Sequence, residues 1–270
     1  MIHPTAYVDK TAQIADDAEI GPMAYVGPEC IIHPRVNVGA KATVECYTEI
    51  GEDTVLSPNA HVGGAPQDIG YKGEPTKLII GKRNIIREFC TIHRATMKED
   101  LITVVGDDCY LMSGVHIAHD CKIGNSVIMA NYATLGGHTQ VDDYAFVSGL
   151  VGVHQFVRMG TMAMIAALAR VGKDIPPYCI AYNDAIVGLN VVAMRRHGVS
   201  AAARAEIKKA VKILTDNSIL FEDLPAKFAE LEQLDEIITF SEFVKRSKRS
   251  ILRNLGTEER KADYSKSLGV

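Results

Sequence analysis

The chain has 270 residues, with 33 acidic against 29 basic side chains and a formal net charge of −4. So small a charge argues against nucleic acid as a partner. No apolar stretch is long enough to span a membrane and no leader-like segment precedes the first repeats, which reads as a cytoplasmic protein.

A six-residue beat organises the chain from its start. Every sixth position from Ile2 through Val8, Ile14, Ile20 and Val26 to Val62 is aliphatic. The beat returns in phase at Ile80, Ile86 and Ile92, then resumes one residue out of phase from Val105 to Val171. Four residues after each aliphatic stands a small or branched side chain, as at Ala18, Ala24, Cys30, Cys109 and Cys121. Strand side chains alternate, so both positions share one face. Gly21-Pro22, Gly27-Pro28, His33-Pro34 and Ser57-Pro58 follow the aliphatic directly and mark tight turns. A fixed short period predicts a parallel β-helix, with three hexads to a triangular coil of eighteen residues. The six cysteines form no C-x-x-C pair, and four of them stand at the small inward position, so core packing is their expected role.

Two insertions interrupt the beat. Residues 63–79 are rich in Gly and Pro and carry Gln67, Asp68 and Tyr71, which predicts an extruded binding loop. Residues 97–104 form a shorter insertion, expected to be neutral.

The chemistry concentrates farther on, at His116, His119, Asp120, Gly137, His138, His154 and Gln155. None of these histidines stands at an inward hexad position. Residues eighteen apart lie one above another, which sets His119 beneath Gly137, Gly137 beneath Gln155, and Asp120 beneath His138. An imidazole below a glycine N–H is the layout that acyl transfer needs: a base for an attacking hydroxyl and a donor for the developing oxyanion. Asp120 is the adjacent carboxylate that would orient the ring. No Ser or Cys elbow suggests a covalent intermediate, so direct transfer is the simpler chemistry.

The beat stops near Val191, dividing the chain into a β-helix over 1–191 and a helical domain over 192–270. Ser200 is a good N-cap for a first helix carrying Ile207, Val211 and Leu214. A second helix is predicted over Leu224–Leu234, with Pro225 in its first turn, and a third over Ser241–Leu252, with Phe243 and Ile251 turned inward. The polar tail is expected to fray. Lys245, Arg246, Lys248, Arg249 and Arg253 form a basic cluster. A solvated helix face is the commoner reading of such a run, and docking of an acidic carrier protein the sharper one.

Several segments together resemble the UDP-N-acetylglucosamine O-acyltransferases of lipid A biosynthesis. They are Ile-His-Arg-Ala-Thr (92–96), the loop 67–76, His-Ile-Ala-His-Asp-Cys (116–121), Val-His-Gln-Phe (153–156), Asp-Ile-Pro-Pro-Tyr (174–178) and Met-Arg-Arg-His-Gly (194–198). The likeness covers essentially the whole chain. It implies a left-handed coil, an exception to the usual right-handed crossover, and a homotrimer with its sites in the grooves between subunits. It also implies transfer of a 3-hydroxyacyl chain from acyl carrier protein to the 3-hydroxyl of UDP-N-acetylglucosamine. His119 matches the general base, Asp120 its partner and Gly137 the oxyanion donor. Gln67, Asp68, His116, His138, His154, Gln155, Asn190 and Arg196 match contacts to the nucleotide sugar or the acyl-pantetheine arm, the last two on the uridine diphosphate side. No metal or separate cofactor is implied, because the donor brings its own 4′-phosphopantetheine.

Two positions depart from the family pattern. Gly70 stands where a lysine is usual before the loop tyrosine, with Lys72 two places later. Ala167 stands where a glycine admits a longer acyl chain and a bulky residue shortens it, which leaves the chain length open. A related N-acyltransferase carries a domain ahead of the prism, whereas the hexads here begin at Ile2. A zinc carbonic anhydrase on the same fold is a second reading of the histidines, although its His-x4-His pair is missing. A non-catalytic scaffold is a third.

Overall fold

The computed structural model describes residues 1–248 and 250–257. Three sheets of nine, eight and ten strands form the walls of a left-handed β-helical prism. Successive strands visit successive walls: Tyr7–Val8 opens the first, Gln13–Ile14 the second and Glu19–Ile20 the third. Most strands are two residues long, because each hexad must also turn a corner. The register follows the repeat: Tyr7 pairs with Tyr25, and Thr134 with Gly152.

The predicted inward columns fill the prism. Val26, Val44, Leu56, Ile117 and Leu135 are fully buried, as are the small residues Ala42, Cys90 and Ala133. Burial pushes the thiols of Cys30, Cys90 and Cys109 up to about 11, which makes them packing groups rather than nucleophiles. At most corners from Met23 on, the second turn residue is left-handed, with φ 58° at Met23, 60° at Asp120 and 62° at His138. The first turn residue donates no ladder hydrogen bond, so proline is tolerated there at 22, 28, 34 and 58.

Both insertions leave from the first wall and return on the second. Strand His61–Gly64 runs into the long loop and Lys77–Ile80 leads out of it, while Thr91–His93 and Ile102–Val105 bracket the short one.

Beyond the last hexad, Cys179–Tyr182 and Ala185–Leu189 form an antiparallel hairpin that extends the third wall. The helical domain follows, with α1 at Val191–Arg196, α2 at Ala201–Thr215, α3 at Leu224–Ala229 and α4 at Asp235–Lys245. Ser200 caps α2 as expected, its Oγ accepting from Ala203 N at 3.0 Å. The later helices differ from expectation: α3 ends at Ala229, well before Leu234, and α4 starts earlier and stops before Leu252. Helix α4 stops short of Leu252 because residues 250–256 return to the prism as extended chain, with Ile251 bridging Asp174 and Leu255 bridging Ile186. Ile251 is therefore buried by sheet-like pairing, not by a helical face. Residues 258–270, with the expected fraying tail, lie outside the described residues. Among the described residues, no helix is long and apolar enough to cross a membrane.

Candidate active site

The corner between the first and second walls carries the candidate chemistry. Strand His116–Ile117 ends there, and the turn that follows presents His119 and then Asp120. One coil on, Gly137 and His138 occupy the same two turn positions, and Gln155 and Phe156 occupy them on the next. The expected stacking is thus present within one chain. His119 and Asp120 are buried, with 5% and 1% of their surfaces exposed.

His119 Nδ1 lies 2.7 Å from Asp120 Oδ2, which directs Nε2 away from the carboxylate. A Cβ on Gly137 would lie 2.5 Å from Cε1 and 2.8 Å from Nε2 of the His119 ring, so only glycine admits the imidazole here. Gly137 is also a first turn residue, and among the described residues no acceptor takes its N–H. His138 packs edge-on to His119 at 5.3 Å between ring centroids and stacks on Phe156 at 4.3 Å.

The short insertion is not neutral. Thr96 N donates to both oxygens of Asp120 at 3.0 and 3.2 Å, and Thr96 Oγ1 donates to Oδ2 at 2.8 Å. Asp120 N donates to Thr103 Oγ1 at 2.8 Å, so the insertion and the residue just before it hold the Asp120 backbone as well as its carboxylate. Burial alone raises the Asp120 carboxyl, but the hydrogen bonds from His119 and Thr96 outweigh it and keep the group below its ordinary value. Glu99 Oε1 lies 2.9 Å from His138 Nδ1, outside hydrogen-bond geometry. Lys98 pairs with Asp68 of the long loop. Stacking by eighteen could not find these residues, because the insertion breaks the count.

Below this corner, His116 accepts or donates at Nδ1 with Thr91 Oγ1 at 2.8 Å, and its ring meets His93 edge-on at 5.2 Å. Burial and then His116 push His93 down to about 4. The long loop is anchored by Arg94, whose Nε donates to Gly63 O at 2.8 Å and whose Nη1 donates to Thr76 O at 3.3 Å. Its guanidinium also lies over the Tyr47 and Tyr71 rings. The loop thereby brings Asp68 to the site, while Gln67 stays exposed. Above the corner, His154 and Gln155 are exposed on the next coil.

A family model described as UDP-N-acetylglucosamine O-acyltransferase, domain 2, matches residues 174–252, and a bacterial transferase hexapeptide model matches 102–137. The acyl-(acyl-carrier-protein):UDP-N-acetylglucosamine O-acyltransferase of Burkholderia lata is 43% identical over 259 residues, covering 93% of this chain and 99% of that protein. The chain belongs to the UDP-N-acetylglucosamine O-acyltransferase family. Solved members from Francisella novicida and Acinetobacter baumannii superpose with TM-scores of 0.90 at 36% and 33% identity. The first alignment covers 94% of each chain, and the second covers 93% of this chain and 99% of the other.

The remaining positions suggested by the resemblance to this acyltransferase family lie elsewhere on the prism. Asn190 caps α1, its side-chain oxygen accepting from Ala193 N at 3.2 Å and its Nδ2 donating to Met162 O at 2.9 Å. With Arg196 it borders a cavity of about 400 Å³ against the third wall, beside Ile128, Phe146 and Met164. His119 does not line that cavity, so one chain does not unite the two groups. Ala167 lies half-buried at the corner between the third and first walls. The basic cluster is not one free face: Arg253 donates to Leu214 O, Asp216 O and Ile219 O at the end of α2, Lys245 pairs with Glu242, and Arg249 lies outside the described residues.

The donor atoms of His119, Asp120 and His138 lie within 4.8 Å of one another, close enough to surround a cation. Both Asp120 oxygens already accept from Thr96, and Oδ2 also faces His119 Nδ1, so an ion would have to displace those bonds.

Proposed function

We propose that the chain moves a 3-hydroxyacyl group from the pantetheine thioester of acyl carrier protein to the 3-hydroxyl of UDP-N-acetylglucosamine, the first step of lipid A biosynthesis. The observation that carries the mechanism is the His119 ring beside Gly137, with Asp120 fixing its other nitrogen. Nε2 of His119 takes the proton as the sugar oxygen attacks the thioester carbonyl. The oxyanion is held by the Gly137 N–H. Collapse breaks the C–S bond, and the imidazolium returns its proton to the departing thiolate. Asp120 stabilises the charged ring in between.

The working unit is a trimer. Phe89, Tyr132, Leu150 and Leu168 are 64%, 61%, 59% and 69% exposed in one column at the corner between the third and first walls. An exposed apolar column of this kind calls for a partner. A neighbouring copy covering it would add Asn190 and Arg196 to the His119 corner. Ala167 sits beside Leu168 on that column and limits the acyl chain.

Purified protein should acylate UDP-N-acetylglucosamine from hydroxyacyl carrier proteins, and His119→Ala should lose about a hundredfold or more in kcat, the scale of a general base. Full activity in that variant, or stoichiometric zinc in the protein, would overturn the mechanism. Ala167→Gly should favour longer chains and Ala167→Met shorter ones. The pair Leu150→Glu and Leu168→Glu should sediment as an inactive monomer. A fully active monomer would sink the shared-site reading.

A further inference from the structure

Position 70 carries no charge, yet the loop carboxylate beside it is not left without a cation. Asp68 Oδ1 accepts from the Gly70 N–H at 2.7 Å, and Oδ2 is paired with Lys98 of the short insertion. Lys72 is not that partner: it belongs to the turn closed by Glu74, whose Oε2 accepts the Lys72 backbone N–H at 2.8 Å. The Asp68 side chain is 15% exposed and Lys98 56%, so a carboxylate set into the loop meets a lysine that still reaches open solvent. Two residues before Lys98, Thr96 holds Asp120, and the Lys98 N–H itself donates to Thr96 Oγ1 at 3.2 Å. One short segment therefore ties the loop carboxylate to the carboxylate of the His119 pair.

We propose that Lys98 is the positioning cation of the acceptor site, supplying from the second insertion the positive charge that position 70 lacks. It aims the Asp68 carboxylate at a sugar hydroxyl. An ammonium has three donors, and those not spent on Asp68 remain for the anionic diphosphate of the nucleotide sugar. The backbone does not demand glycine at position 70: its φ lies outside the left-handed region, and a Cβ would meet only Asp68 Oδ1, at 3.0 Å. The charge could thus be carried on either segment, and this chain carries it at 98.

This inference rests on the acceptor named above, and its test separates the two. Calorimetric binding of UDP-N-acetylglucosamine alone reads the acceptor site without acyl transfer. Lys98→Ala should weaken that binding by about tenfold or more, the worth of a charge-assisted hydrogen bond. Lys98→Arg should retain most of it, and Gly70→Lys placed in the Lys98→Ala background should restore it. In turnover, the acceptor KM should rise by more than kcat falls, with the donor KM unmoved. In an Asp68→Asn background, Lys98→Ala should cost less than it does in the wild type, leaving only the diphosphate contact to lose. Unchanged sugar binding in Lys98→Ala, equal loss of both KM values, or failure of wild-type protein to bind the sugar would each overturn the proposal. Wild type that binds the sugar but transfers no acyl group would sink the activity and leave the role of Lys98 standing.

Discussion

The His119 ring fills the space that a side chain on Gly137 would need, with Cε1 2.5 Å from where a Cβ would stand. The proposed base and oxyanion donor are thus set by one contact between successive coils. Gly137→Ala should push the imidazole aside while leaving the ladder intact, because the Gly137 N–H makes no ladder hydrogen bond and its carbonyl, which accepts from Phe156 N at 3.0 Å, is unchanged by the added methyl. A misplacement of about 1 Å costs roughly a hundredfold, so kcat should fall on that scale with the melting temperature nearly unchanged. A variant with normal turnover would show that the contact is not used.

Thr96 makes a second contact on which the proposed base depends. Its hydroxyl donates to Asp120 Oδ2, the oxygen that also faces His119 Nδ1, and its N–H donates to both carboxylate oxygens. Thr96→Val keeps the shape and the N–H but removes the hydroxyl donor. One hydrogen bond to a charged group is worth about 1.5–3 kcal/mol, so kcat should fall about tenfold, less than for Asp120→Ala. Equal rates for Thr96→Val and wild type would place Thr96 outside the mechanism.

How far the sequence foretold this site depended on whether the repeat count was unbroken. Between Val105 and Val171 the beat is continuous, so the placement of His119 under Gly137 and of Asp120 under His138 follows from spacing alone. Across the insertions the count fails: His116 pairs with the wall residue Thr91, twenty-five positions back. Thr96, Lys98 and Glu99 were therefore invisible as partners of Asp120, Asp68 and His138. The helical end was misjudged for another reason. Ile251 has the spacing of a helical core residue after Phe243, but its backbone bonds are made with the prism. Periodicity reports that a residue is buried and not what buries it.

His93 makes stability depend on pH. Burial, and then His116, depress it from 6.5 to about 4 in the folded protein. An unfolded chain takes up this proton near 6.5 and the folded one does not until about 4. The stabilisation is full above the higher value and is lost as pH falls through that window. The melting temperature should drop between those limits, and His93→Asn should flatten the drop. Parallel curves for the two proteins would assign the acid sensitivity to other groups.

Arg94 links stability to binding. Arg94 is only 4% exposed, and its guanidinium bonds Gly63 O and Thr76 O at the two roots of the long loop and lies over Tyr47 and Tyr71. Arg94→Ala leaves both carbonyls without that donor and opens a void beneath Tyr71. The loss should be about 2–4 kcal/mol of folding free energy. Asp68 rides on the same loop, so the acceptor KM should rise together with the fall in melting temperature. Arg94→Lys keeps the charge but not the two-pronged reach, and should recover only part of either loss. Denaturant titration alongside acceptor kinetics checks both: a variant that melts early but binds the sugar normally would mean that the loop holds its shape without this anchor.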